Sequence, residues 1–165
     1  MAGRLRATAL ALCFVASVAA SSLLASPAAD RRRTVDGWRV EAVSEGDGGR
    51  IVRMSRRGRG WRFEYHLAFW HGRGGGIMIG AHVRSGRCST GEADILQEPN
   101  AAISRDNLEA LLQSYLAECP LSASQATLLR RSLDAAWPLF AGWAREAQAA
   151  TLAEAAAIES YGEPD

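Results

Sequence analysis

Residues 61–70, with the sequence WRFEYHLAFW, decide the fold of this chain because bulky apolar residues occupy every second position. Side chains of a β-strand point alternately to opposite faces, so this segment predicts a strand with one buried and one polar face. The buried face would carry Trp61, Phe63, Tyr65, Leu67 and Phe69. We interpret this aromatic stripe as core rather than as the lining of a ligand pocket.

The same alternation recurs in segments on both sides of this strand. Apolar residues repeat at every second position in 38–42, 52–54 and 77–83. Glycine-rich turn segments separate the four strands, at 45–49, 57–60 and 72–76. Connections this short favour antiparallel pairing of consecutive strands. The sequence therefore predicts a four-stranded antiparallel meander over about 35–86.

The hydrophobic period becomes helical in the second half of the chain. Ser104 is suited to cap a first helix, and Ser122 with Gln125 is suited to form a capping box for a second. Pro138 is expected to break or kink the second helix, because its ring removes a backbone hydrogen bond. We predict two or three helices packed on one sheet face, at about 104–119, 122–137 and 138–159. The fold class is α+β, with a disordered tail at 162–165.

The N-terminus has the composition of a secretory signal peptide. Two arginines precede an apolar run over 7–24, and small residues follow. We predict a signal peptide at 1–28, cleaved after Ala28 or Ala20, and one globular domain at 29–165. Alternatives are lipidation at Cys13 and an uncleaved N-terminal anchor. The expected location is periplasmic or secreted, with no transmembrane helix in the mature form.

The cysteines and the charges constrain the exported body further. Cys88 and Cys119 remain after processing, and an even pair in an exported domain predicts a structural disulfide. All 19 basic residues are arginine, which we attribute to coding bias rather than to nucleic-acid binding. Residues 30–87 carry a charge balance of +7 and residues 88–165 a balance of −8. The two halves either neutralise each other or steer an anionic partner to the first half.

His66 and His82 form the strongest candidate for a metal site. They lie on neighbouring predicted strands, on the face opposite the aromatic stripe. If Leu67 faces Ala81, His66 faces His82 and Glu64 faces Arg84, whereas a two-residue shift places His82 opposite Glu64. Two imidazoles with Glu64 or His71 suit a divalent transition metal, although a tight zinc site needs three or four protein ligands. The alternative, which we prefer, is a half-exposed polar sheet face with an ion pair between Glu64 and Arg84.

A second candidate site is a basic surface for an anionic ligand. Its candidate residues are Arg53, Arg59, Arg62 and Arg73, with Trp70 as an aromatic anchor. Arg73 lies in the glycine-rich segment 72–76, which we interpret as a hairpin turn rather than a phosphate loop, because strands are predicted on both sides. Arg59 lies in another turn, where charge also protects a sheet edge from aggregation.

The sequence offers no arrangement typical of a nucleophilic enzyme. We therefore predict a non-enzymatic binding or interaction module of the bacterial cell envelope, which contacts an anionic ligand or an envelope protein. The alternative is a metal-binding protein or metal-assisted hydrolase at the histidine pair. A third possibility is a structural envelope protein that self-associates through its alanine-rich helix.

Overall fold

The fold is that of a computed structural model, which describes residues 30–45, 48–70, 76–90, 95–97 and 100–161. The predicted signal peptide, with both cleavage sites and Cys13, lies outside the described residues. So does the tail at 162–165, predicted to be disordered. None of the helices in the described ranges has an apolar stretch long enough to cross a bilayer.

The fold is α+β, with one antiparallel sheet followed by two helices. The strands are β1 (Arg31–Val35), β2 (Trp38–Ser44), β3 (Arg50–Gly58), β4 (Trp61–Trp70), β5 (Gly76–Ser85), β6 (Cys88–Ser89) and β7 (Ile95–Gln97). The first five pair in sequence order, and β6 and β7 both pair with the outer edge of β5. The helices are α1 (Arg105–Glu118) and α2 (Ala123–Tyr161).

The predicted meander corresponds to β2–β5, but the sheet is larger than predicted. Strand β1 precedes the predicted meander and joins β2 through a two-residue turn. Both turn residues, Asp36 and Gly37, have positive φ, at 45° and 76°. This combination suits a hairpin whose turn follows the twist of its strands, and Asp-Gly is its usual sequence. The other two strands outside the predicted meander, β6 and β7, are too short to show an alternation of apolar and polar residues.

One face of the sheet forms the core with both helices. The fully buried positions of the sheet are those of the predicted alternation, including Trp38, Phe63 and Tyr65. Phe140 of α2 packs against Tyr65 at a ring distance of 5.4 Å, and Trp137 lies 5.5 Å from Phe140. We refer to this side as the core face and to the other side as the open face.

Of the two or three helices predicted, the structure has two, and the division into helices at 122–137 and 138–159 is wrong because α2 continues through Pro138. Residues on both sides of the proline, such as Leu133 and Phe140, are fully buried in the same core. Burial of two consecutive apolar segments outweighs the one backbone hydrogen bond that proline removes. The predicted caps are confirmed, since Ser104 caps α1 and Ser122 exchanges hydrogen bonds with Gln125 at the start of α2.

Polar contacts attach α2 to both ends of the core face. Trp38 Nε1 donates a hydrogen bond of 2.9 Å to Ser132 Oγ, within the core. Arg50 donates to both carboxylate oxygens of Glu154 and lies 3.3 Å from Thr151 Oγ1. Because Arg50 is buried, this pairing is needed to offset the loss of its hydration.

The predicted disulfide between Cys88 and Cys119 is confirmed. The two Cα atoms are 5.6 Å apart, and the bond joins β6 to the end of α1. Cys119 is fully buried in the core cluster. The bond therefore ties the sheet edge to the helix layer across 31 residues of sequence.

We predict that replacing both Cys88 and Cys119 with alanine lowers the free energy of unfolding by about 3–4 kcal/mol, because the unfolded chain regains the freedom of the closed loop. Urea unfolding measures this difference. Adding a reductant should shift the unfolding midpoint of the parent protein and leave the double variant unchanged. Equal midpoints for the oxidised parent and the variant would contradict a stabilising role.

Candidate anion-binding site

The open face carries six arginines of the strands and only two carboxylates. Alternation in β1–β5 directs these side chains away from the helices. The arginines are Arg32, Arg39, Arg53, Arg57, Arg62 and Arg84, and the carboxylates are Glu41 and Glu64. In the described part of the chain, both helices pack on the core face. The open face therefore presents an excess of positive charge to solvent.

Glu41 of β2 is a buried carboxylate at the centre of a cluster of ion pairs with partly exposed arginines of β1, β2 and β3. Its side chain is only 8% exposed, and it binds Arg32, Arg39 and Arg53. The Nε atoms of Arg39 and Arg53 each donate a hydrogen bond of 2.9 Å to its carboxylate. Burial alone would raise the pKa of Glu41, but the hydrogen bonds from the three arginines lower it to about 2.

A row of three arginines crosses the open face beside this cluster. Arg57 of β3 pairs in register with Arg62 of β4, which pairs in register with Arg84 of β5. Arg62 binds the carboxylate of Glu64. In the described ranges, Arg57 and Arg84 have no carboxylate partner, and both are exposed. Like charges directly opposite each other destabilise a sheet, so this row is unfavourable for folding.

An open, polar depression of about 440 Å³ lies on this face between the Glu41 cluster and the arginine row. Its lining includes four arginines (Arg39, Arg53, Arg57 and Arg62), the carboxylates Glu41 and Glu64, which are paired with arginines, and the hydroxyl-bearing Thr34 and Ser55. Planar guanidinium groups bind carboxylate, phosphate and sulfate oxygens in pairs, and hydroxyl groups add hydrogen bonds. The depression is therefore chemically suited to an anionic group.

The predicted ligand-binding residues are distributed unequally over this surface. Arg53 and Arg62 line the depression. Arg59 lies in the exposed turn between β3 and β4. Trp70 lies at the opposite end of β4, and Arg73 falls outside the described residues.

Our preferred pairing of the two histidines is wrong, and the alternative register is confirmed. Leu67 pairs with Ile79, so His82 lies opposite Glu64, and His66 lies opposite Gly80. A shift of two residues keeps every side chain on the same face, so the alternation alone could not decide the register. The histidines are therefore diagonal neighbours.

The candidate metal ligands have other partners in this register. Glu64 binds Arg62, and His82 Nε2 lies 2.9 Å from Ser89 Oγ. Within the described ranges, no group of three or more His, Cys, Asp and Glu side chains is arranged to hold a metal ion. No observation on these residues favours the metal hypothesis over the anionic one.

Sequence reasoning missed Arg39, Arg57 and Arg84 as members of the site. The alternation of apolar and polar residues could have identified them, because it places each on the same face as Arg53 or Arg62. Finding the row also required the pairing register. Arg56, although adjacent to Arg57, belongs to the other side and donates to the carbonyl oxygen of Asp36.

Comparison with protein-family models, curated proteins and solved structures gave no match. The functional argument therefore depends on the chemistry of the open face.

The pKa of Glu41 predicts a specific pH dependence of stability. Because its folded pKa of about 2 lies below its ordinary value of 4.5, the ionised carboxylate stabilises the fold above about pH 4.5, and this contribution is lost as the pH falls towards 2. The free energy of unfolding of the parent should therefore exceed that of Glu41→Gln at neutral pH, and the difference should shrink below pH 4.5.

Urea unfolding of both proteins between pH 2 and pH 7 measures this difference. Glu159→Gln on the exposed surface of α2 is the control, and its curve should follow that of the parent. Parallel curves for the parent and Glu41→Gln throughout this range would contradict the assigned role of the cluster.

Proposed function

We propose that this protein is an exported binding protein of the bacterial cell envelope, without enzymatic activity, whose open face binds an anionic ligand. The ligand would occupy the depression and contact the arginine row. This proposal is supported by the arrangement of the charged side chains, and the observation that carries it is the row of Arg57, Arg62 and Arg84.

The row supports a ligand because the described part of the protein does not neutralise it. Arg32, Arg39 and Arg53 share Glu41, and Arg62 binds Glu64. Arg57 and Arg84, on the two strands that flank Arg62, have no ion-pair partner among the described residues. An anion between them would replace repulsion with charge-assisted hydrogen bonds. Binding would therefore stabilise the folded state.

The proposal of export has two supports of different kinds. The basic and apolar pattern of the first 28 residues is typical of a signal peptide. The bond between Cys88 and Cys119 is of a type that persists in oxidising compartments and is rare in the cytosol. Both are compatible with a periplasmic or secreted protein.

We predict that the double substitution Arg57→Gln and Arg84→Gln weakens binding to dextran sulfate by about tenfold at low salt, since each exposed charge pair contributes up to about 1 kcal/mol. Binding of the parent should also weaken as the salt concentration rises. Titration followed by anisotropy of labelled dextran sulfate measures both effects.

The matched control is the double substitution Arg130→Gln and Arg131→Gln, which removes the same charge from the exposed side of α2. This control should bind within about twofold of the parent. Urea unfolding verifies that both variants are folded. Equal losses in the two variants, or no binding by the parent, would overturn the assignment of the open face.

A further inference from the structure

An apolar stripe crosses the open face next to the arginine clusters. It consists of Val43, Ile51, Ala68 and Met78, which pair in register across β2, β3, β4 and β5. All four residues are only partly buried. The stripe lies two residues along the strands from Glu41, Arg53 and His66, which are the next positions on the same face. The open face therefore has a basic half and an apolar half.

Trp70 extends the apolar half at the end of β4. It pairs in register with Gly76, and a Cβ atom added at Gly76 would lie 2.6 Å from Trp70 Cζ2. The indole ring therefore covers Gly76 and lies along the open face. Gly76 itself is buried, whereas Trp70 is partly exposed. Its ring is two positions along β4 from Ala68 of the stripe.

The arginine row and the apolar stripe lie far enough apart on the open face that only an extended ligand surface could contact both. Six positions along β4 separate Arg62 from Ala68, which corresponds to about 20 Å of strand. A small soluble anion would contact only the basic half. A ligand that offers both negative charge and apolar surface could contact the six arginines and the partly exposed apolar stripe at the same time.

We infer that the ligand of the open face is the surface of an anionic phospholipid membrane. This inference rests on the proposed function and names its ligand class. Lipid phosphates bind Arg57, Arg62 and Arg84, while the apolar stripe and Trp70 enter the interface. Basic residues favour anionic headgroups, and tryptophan favours the boundary between headgroups and acyl chains.

Vesicle flotation tests the inference with protein purified from the exported fraction after expression of the full chain. The protein should float with phosphatidylglycerol vesicles and remain in solution with phosphatidylcholine vesicles. Arg57→Gln with Arg84→Gln should lower the vesicle partition coefficient by about twenty-five-fold, because each basic residue near an anionic surface contributes about fivefold. Arg130→Gln with Arg131→Gln should change it by less than twofold.

Tryptophan fluorescence identifies the face that meets the bilayer. Phosphatidylglycerol vesicles containing brominated acyl chains should quench the parent protein. Trp70→Phe should remove most of this quenching while retaining flotation. Trp143→Phe is the matched control, because Trp143 lies on α2, where Arg31 stacks 4.7 Å from its ring. Quenching should persist in this control.

The outcomes separate this inference from the proposed function. Binding to dextran sulfate without flotation on phosphatidylglycerol would overturn the membrane assignment and leave the anion-binding function. Binding to neither probe would overturn both. Flotation that is equal in all variants, or quenching that persists in Trp70→Phe, would show that another part of the chain meets the bilayer and would overturn the inference.

Discussion

The packing of α2 against β2, β3 and β4 determines which side of this molecule is available for binding. Phe140 contacts Tyr65 in the centre of the sheet, while Ser132 and Glu154 bind Trp38 and Arg50 towards its ends. These contacts bury the aromatic residues on one side of every central strand. Because alternate residues of a strand point in opposite directions, they also leave the charged residues on the other side. The basic surface is thus a consequence of how the core is formed.

This arrangement explains why the opposite charges of the two halves cancel only in part. Arg31 and Arg50 have side chains on the core face, and they pair with Glu146 and Glu154 of α2. The arginines of the open face point away from α2 and cannot reach its carboxylates. Mutual neutralisation of the two halves is thus observed on the core face, and the anion binding that we propose concerns the open face. Among the described residues, the ion pairs that join the first half to the second half lie on the core face, whereas those of the open face form within the first half.

The sequence predicted those features that depend on local pattern. Alternation in 61–70 identified the buried side of β4, and the caps of both helices followed from Ser104 and Ser122. Features that depend on tertiary packing were not predictable in this way. The continuity of α2 through Pro138 requires a core that holds both of its segments. The Asp-Gly pair at the turn between β1 and β2 is a recognisable hairpin signal, but the five residues of β1 show no apolar alternation that would identify a strand.

The sequence predicted some residues of the candidate site but not which residues lie side by side, because that depends on the pairing register of the strands. Arg53 and Arg62 could be placed on the open face from alternation alone. Their relation to Arg57 and Arg84 depends on which residues lie opposite each other, and a two-residue shift would preserve every burial pattern.

The same register argues against a surface that serves solubility alone. Solubility is favoured by interspersed charges of both signs and by few exposed apolar residues. The open face instead aligns Arg57, Arg62 and Arg84 in one row and groups Val43, Ile51, Ala68 and Met78 in another. The first row is unfavourable for an isolated soluble domain because like charges repel, and the second row leaves apolar side chains only partly buried. A single ligand with anionic and apolar parts would relieve the repulsion of the first row and complete the burial of the second, which is why we assign the two rows to one binding surface.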